Sequence, residues 1–399
     1  MTKHISLYFL VVLFSYSINI AIAETPVTIL EKVRKILEQN VEQLDPISLV
    51  WVSQRSTNLE LEPFFKKIKS EHHCGFLEPV NCVFMWEEGC GYLCRLSKTL
   101  AESSGDTLPL AYAKDLKLST HIDEKSVDGK NFYSGGKAQK DKIGGLGVNP
   151  INQASLYQIF TINMGYKYPT FGDEFQTPPM SYILYLAQNG EVLQANQDSL
   201  DGEEVFKIKI RSECRLMDQK TSVSRLITFW CLPKYNYAIK RINVESLDGK
   251  MLYCTKNENF QLIPGKTVYL PYHITIDYYT FVTAFGDISS SPLFTEDFFL
   301  KEISTNPVNK KQFDLRNKYN DPGTLVTDRT LRDTDDGVSY YVPANPADLD
   351  RVIESALTGK DFTPTPLPSR AAIIIRWIII LIGLGMILYA GYRKFIQKI

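Results

Sequence analysis

The sequence predicts an α+β chain: a large twisted antiparallel β-sheet covered by an N-terminal amphipathic helix, with a single transmembrane helix at the C-terminus. Three observations carry this expectation. From Asp201 to Tyr279 short β-rich runs recur between hairpin turns, the pattern of an antiparallel meander. Near the N-terminus, Ile29, Leu30, Val33, Ile36, Leu37, Val41 and Leu44 return at helical spacing and mark one apolar face. From Ala371 to Tyr392 the chain is apolar apart from Arg376. At ~1.5 Å rise per residue that last run crosses a hydrocarbon layer of ~30 Å.

The first residues have the form of a leader. Lys3 and His4 precede an apolar stretch from Ile5 to Ile22, and Ala21-Ile22-Ala23 is a small-x-small cleavage site before Glu24. Arg393, Lys394 and Lys398 follow the C-terminal run, and basic residues beside a span stay on the cytoplasmic side. The expected order is therefore a signal peptide over 1–23, an exported domain over 24–343, a short helix and Pro-rich tether over 344–370, a span over 371–392 and a cytoplasmic tail over 393–399. Such a chain is a single-pass protein of the cytoplasmic (inner) membrane with its body in the periplasm, since outer-membrane spans are usually barrels. Arg376 lies close enough to the outer end of the span to snorkel to the headgroups. The first cysteine is Cys74, so no lipid is attached directly after the cleavage site.

Composition narrows the function classes. A net charge of -1 and the absence of a basic stripe exclude nucleic acid as a partner. Aromatic residues make up 12% of the chain, with 22 Tyr and 21 Phe, which favours β structure. Seven cysteines in an exported chain suggest a disulfide. Two strands over Asn81–Trp86 and Cys90–Arg95, joined through Glu87-Glu88-Gly89, bring Cys82 and Cys94 opposite or diagonal to each other, and a cross-strand disulfide between them is the leading pairing. His72, His73, Cys74, Cys82, Cys90 and Cys94 crowd one segment, but the spacing is not that of a zinc knuckle or ribbon, and no metal or cofactor is expected. Catalytic motifs are absent, and His121 and His273 read as surface or strand residues.

The elements follow in order. Thr25 and Pro26 suit the cap and first turn of the N-terminal helix, and Thr28 to Glu31 is a further capping box. Ile47–Arg55 reads as a strand, Asn81–Arg95 as a hairpin, and Val127–Tyr133 as two extended arms about an Asp-Gly turn. Residues from Ser134 to Phe175 read as loops with one short helix near Gln153–Phe160, and Ser181–Leu186 as a short helix or strand. In the next strand Phe206, Ile208 and Ile210 alternate with Lys207, Lys209 and Arg211, giving it one wet face. Strands then follow over Leu226–Leu232, Tyr237–Ser246, Met251–Thr255, Val268–Tyr279 and Phe298–Ile303. Asn306–Pro343 reads as coil, Ala347–Leu357 as a helix and Thr363–Pro368 as a tether.

One part of the chain resembles a known family. Asp201-Gly202-Glu203-Glu204-Val205-Phe206-Lys207-Ile208, then Leu226–Pro233 with Tyr237-Ala238-Ile239, then Leu247-Asp248-Gly249-Lys250 are similar to the strand and turn succession of the outer-membrane lipoprotein-sorting (LolA/LolB-like) superfamily. Pro322-Gly323-Thr324-Leu325-Val326-Thr327-Asp328 is similar to a tail found in its anchored envelope members. The resemblance implies a half-barrel whose apolar inner side accepts an acyl chain of a lipid or acylated protein. On it, Trp51, Phe84, Trp86, Phe132, Phe206, Ile208 and Phe229 are the candidate cleft residues, with core packing as the plainer role for each. The expected function is non-catalytic lipid or lipoprotein binding at a membrane. The alternative is an envelope sensor or scaffold that regulates a membrane protein partner.

Overall fold

A computed structural model describes residues 25–57, 80–100, 118–138, 144–151, 159–167, 179–215, 222–280, 288–331 and 337–359. The leader, the tether and the apolar run over 371–392 lie outside these residues. Among the described residues no helix is long and apolar enough to cross a membrane.

Helix α1 spans Pro26–Glu42, and its N-cap is Thr25, whose hydroxyl accepts the Thr28 amide at 3.3 Å. Thr28 is thus held by the cap and does not start a box of its own. Strands β1 (Ile47–Thr57), β2 (Val80–Glu87), β3 (Cys90–Leu100), β4 (Leu118–Val127), β5 (Asn131–Ala138) and β6 (Gly145–Pro150) pair in sequence order and form a first wing. Short helix α2 (Ile159–Asn163), a ribbon of β7 (Tyr166–Lys167) with β8 (Met180–Ser181), and helix α3 (Tyr182–Asn189) follow. A second wing then runs back through β9 (Glu191–Leu200), β10 (Glu203–Arg215), β11 (Ser222–Leu232), β12 (Ala238–Ser246), β13 (Met251–Leu262), β14 (Tyr269–Tyr278) and β15 (Phe294–Ser304). The last of these pairs with β1, so the wings become one 15-stranded sheet. Strands β16 (Leu325–Asp328) and β17 (Val338–Tyr341) extend the first wing, β16 lying parallel to β6, while every other pairing in the sheet is antiparallel. The edge strands β9 and β17 do not meet. This open, mostly antiparallel sheet with few helices is consistent with the expected half-barrel.

Three departures from the sequence reading have physical causes. The glycine-rich stretch after Tyr133 forms β5 and β6 instead of loop, because its small residues admit a ring: a Cβ on Gly135 would stand 2.5 Å from Tyr319 Cζ. Strand β9 carries polar side chains on an edge and so lacks an alternating signature. The stretch after Asn306 contains β16, β17 and the 3-10 turns Lys310–Phe313 and Leu315–Asn317, strung between polar residues that hide their few apolar anchors.

Those anchors strap the C-terminal part across the outer face of the first wing. Phe313, Leu315, Tyr319, Val326 and Tyr340 pack with Tyr92, Tyr133, Leu146 and Val148, and helix α4 (Leu349–Thr358) adds Leu349, Val352, Ile353 and Ala356. At the centre of this layer lies the fully buried Glu124 carboxylate, which accepts the hydroxyls of Tyr92 and of Tyr319, the latter at 3.0 Å, and pairs with the Lys318 ammonium. Burial and the bond to Glu124 push both phenols above their ordinary range. Arg316 donates to Tyr133 at 3.3 Å and to Asp328, the last residue of the Pro-Gly-Thr tail motif, at 3.4 Å. Asp328 is buried and also accepts the Thr330 amide at 2.8 Å, so it holds the strap instead of a ligand.

The Cys82–Cys94 disulfide is not formed. In the β2–β3 ladder Cys82 faces Arg95 and Cys94 faces Val83, a slip of one residue that sends the two thiols to opposite faces of the sheet. Cys82 lies in the inner core, Cys94 packs against the strap layer, and both are free thiols.

Replacing Glu124 with Ala leaves two buried hydroxyls without an acceptor and Lys318 without its counter-ion. Denaturant unfolding should show a loss of about 3–5 kcal/mol, with earlier proteolysis in the 305–331 strap; an unchanged midpoint would mean that apolar contacts alone hold the strap. Burial also pushes the Cys82 and Cys231 thiols from the ordinary 9.0 up to about 12. The folded state favours the neutral thiol, so this stabilisation is complete below pH 9.0 and is lost as pH rises towards about 12. The double substitution C82A/C231A should therefore shallow the fall in stability across that window, and alkylation of the denatured chain without reduction should modify both Cys82 and Cys94.

Candidate functional site

The inner face of the sheet is the face that carries helices α1, α2 and α3. Alternation along each strand sends one set of side chains there, and they gather into two clusters. The first, over β1 to β5 with β14 and β15, holds Trp51, Phe84, Trp86 and Phe132 with Leu44, Met164, Tyr166 and Ile276. A bulge between Val50 and Trp51 in the β1–β15 ladder sets Trp51 opposite Leu300, and both lie in this cluster. The second, over β9 to β12, holds Phe206, Ile208 and Phe229 with Ile210, Ile227, Cys231, Ile239 and Ile242. All seven predicted cleft residues are thus on the inner face, but in two groups of four and three, and none is more than 7% exposed.

Helix α1 spans both groups. Leu30, Val33 and Leu37 sit on the second cluster with Tyr182, Ile183, Leu184 and Leu186 of α3, while Val41 sits on the first. Tyr182 meets Phe229 edge-on, with ring centroids 6.0 Å apart. The packing of α1 on the sheet, instead of on a membrane surface, follows from its one apolar face and its mixed-charge polar face, along which Arg34 pairs with Glu38 at 2.7 Å.

A polar seam on β13 divides the clusters. Thr255 and Asn257 point inward and are buried there with Asn163 of α2. The Asn257 amide donates to the carbonyls of Asn163 and Ile239, both at 2.8 Å, and Thr255 donates to Asn163 Oδ1 at 2.5 Å. The Asn257 Oδ1 has no hydrogen-bond partner among the described residues. Sequence reasoning missed these groups, since a Thr and two Asn within strands and short turns carry no signature of convergence.

The C-terminal end of α1 is latched by polar contacts to two hairpin turns. Asn40 donates to the Asn236 carbonyl at 2.8 Å; Gln43 Oε1 accepts the Thr267 amide at 2.6 Å; and Gln43 Nε2 donates to Thr267 Oγ1 at 2.9 Å. Asn236 in turn donates to the Thr267 carbonyl at 2.6 Å. Between α1, the ribbon and β12 a void of only about 10 Å³ remains, lined by Leu37, Asn40, Met164, Tyr166, Tyr237 and Ile239. That is room for one water at most, so the cover is closed at this end of α1.

Among the described residues the other sequence candidates do not converge on one another. His72 and His73 lie outside the described residues, as does Cys74. His121 is half-buried on β4 beside Gly136. His273 sits between Asp297 at 3.0 Å and Glu258 at 3.4 Å, with its ring stacked on Phe299, so both nitrogens are engaged. Among the described residues no group of three His, Cys, Asp or Glu side chains converges as a metal site would require.

No family model matches the chain, and no curated protein matches it in sequence. Solved structures match it over most of its length. A LolA superfamily protein from Nitrosomonas europaea is 10% identical, with a TM-score of 0.36, covering 73% of this chain and 98% of that one. A domain described as an outer-membrane lipoprotein-sorting protein from Vibrio parahaemolyticus is 9% identical, with a TM-score of 0.37, covering 73% and 96%. The Mycobacterium tuberculosis lipoprotein LppX is 11% identical, with a TM-score of 0.24, covering 70% and 98%.

Proposed function

We propose that this chain is a membrane-tethered protein of the bacterial envelope that binds a lipid, or the acyl group of a lipoprotein, between the inner face of its sheet and helix α1, without catalysis. In this reading residues 1–23 are removed on export and residues 371–392 anchor the domain in the inner membrane with the C-terminus in the cytoplasm. The observation that carries the proposal is the nature of the cover. Helix α1 lies on a broad apolar surface through Leu30, Val33, Leu37 and Val41, and Asn40 and Gln43 near its end make polar contacts to the rest of the fold.

The energies allow an acyl chain to take its place. Exposing four such side chains costs roughly 1.5–3 kcal/mol each, or about 6–12 kcal/mol. An inserted chain of ~15 methylenes returns about 0.8 kcal/mol for each, a sum of the same size. The ligand therefore replaces the helix at little net cost in apolar burial, and the unpartnered Asn257 Oδ1 offers an acceptor for an amide or hydroxyl donor at its polar end.

Native mass spectrometry of the full chain after mild extraction should find a co-purifying lipid or acylated peptide, and a ligand-free protein that also takes up no fluorescent fatty acid would overturn the reading. Substituting both Asn40 and Gln43 with Ala should raise hydrogen exchange in α1 about tenfold, equivalent to ~1.4 kcal/mol, and speed fatty-acid uptake. Faster exchange without faster uptake would show that the ligand does not enter under this helix.

A further inference from the structure

The outer face of the second wing is not covered by the C-terminal strap, and it holds a groove with a volume of about 660 Å³. Two kinds of residue line it. Lys209 and Arg211 stand on β10, on the side opposite to Ile208 and Ile210, with Ser224 beside them on β11; Leu193, Leu226 and Leu247 supply apolar walls. Each leucine is there for a local reason. The β9–β10 ladder shifts register between Lys209 and Ile210, pairing Lys209 with Gln194 and Ile210 with Val192, so Leu193 has no partner and is turned towards the cations. Leu226 faces Arg211 across the β10–β11 ladder. Leu247 sits in the β12–β13 hairpin turn, 57% exposed, next to Asp248, which pairs with Lys250 at 3.0 Å.

The charges are available. Lys209 meets no counter-ion among the described residues. Arg211 pairs with Glu191 at 2.7 Å, but both groups are about half exposed, and such a pair contributes little and exchanges readily. An unneutralised cation beside an exchangeable one, ringed by leucines and ending at an exposed hairpin leucine, matches a ligand with a single anion next to an apolar stem. We infer that this groove is a separate site for the headgroup of an anionic phospholipid in the bilayer, its phosphate against Lys209 and Arg211 and its glycerol and first methylenes against Leu193, Leu226 and Leu247. The bilayer is the source because the exposed Leu247 at the hairpin tip sets an apolar rim beside the groove's cations, the composition of an interfacial contact. The site is on the opposite face of the sheet from α1, so it does not depend on acyl binding under that helix and rests only on the membrane tether of the proposed function.

The test uses the full chain in nanodiscs of phosphatidylcholine, alone or with phosphatidylglycerol, each doped with a photoactivatable analogue of the same lipid carrying its reactive group near the glycerol. Labelled peptides are mapped by mass spectrometry. The phosphatidylglycerol probe should label peptides containing Leu226 and Leu247 at least fivefold more than the phosphatidylcholine probe, and Lys209→Glu and the milder Lys209→Gln should each remove most of that excess while leaving the thermal midpoint unchanged. Equal labelling by both probes, or labelling unaffected by either substitution, overturns the proposal. Labelling by a monomeric short-chain phosphatidylglycerol in solution, with none from the disc, overturns the bilayer as the source. Label confined to α1 and the inner face would support the acyl-binding reading while removing this one.

Discussion

Everything inside this fold depends on the pairing of β1 with β15. The ladder runs from Ser48 with Ser304 to Thr57 with Phe294, joining segments roughly 250 residues apart. Each wing alone is a meander of hairpins with one greasy side, and a meander of that kind cannot bury both edges and a face. Joined at this seam, the wings share an inner surface wide enough for a single helix to lie across both clusters. Trp51 and Leu300, which face each other in the ladder, stand in the first cluster, so the same pairing that joins the wings also builds the core.

The two wings are chemically unequal. The first is buried on both sides, by α1 and the inner core on one face and by the C-terminal strap on the other, with Glu124 as the polar centre of the outer layer. The second is buried on the inner side only, and its outer side is a surface of cations and polar groups with Trp230 set between Lys207 and Arg241, 5.9 and 5.6 Å from the ring centre. A buried carboxylate with three partners fixes geometry strongly, because removing any partner exposes the others to desolvation without compensation. A face of exposed ion pairs fixes almost nothing. The first wing is therefore the rigid frame, and the second is the part against which a cover can shift.

Much of this was legible in the sequence. The alternation at Phe206 to Arg211 gave the correct face to each residue, and the Asp-Gly turns at Asp128 and Asp248 marked real hairpins, with Gly129 and Gly249 at φ of 88° and 81°. The N-terminal helix and its apolar face were equally clear. What could not be read depended on partners far along the chain. Gly135 looks like a loop residue until Tyr319 needs its space, and Asp328 looks like a turn residue until Arg316 reaches it. Register was the other obstacle: the hairpin at Glu87 to Cys90 was located correctly, yet one residue of slip decides whether Cys82 and Cys94 share a face. The cleft residues were individually placed on the right side, while their division by Thr255 and Asn257 rests on a short helix whose position no local pattern announces.

The wrapping of the strap over the first wing also sets the order in which the chain can mature. Tyr92, Glu124 and Tyr133 find their cover only in residues 313–340, the last part of the domain to be synthesised. Until that part arrives, the outer side of the first wing is a wet surface with a solvated glutamate at its middle, and β1 lacks β15 as well. An unfinished chain is thus denied both of its long-range closures and has little reason to collapse early. A polypeptide built this way stays extended and pliable for as long as it is incomplete.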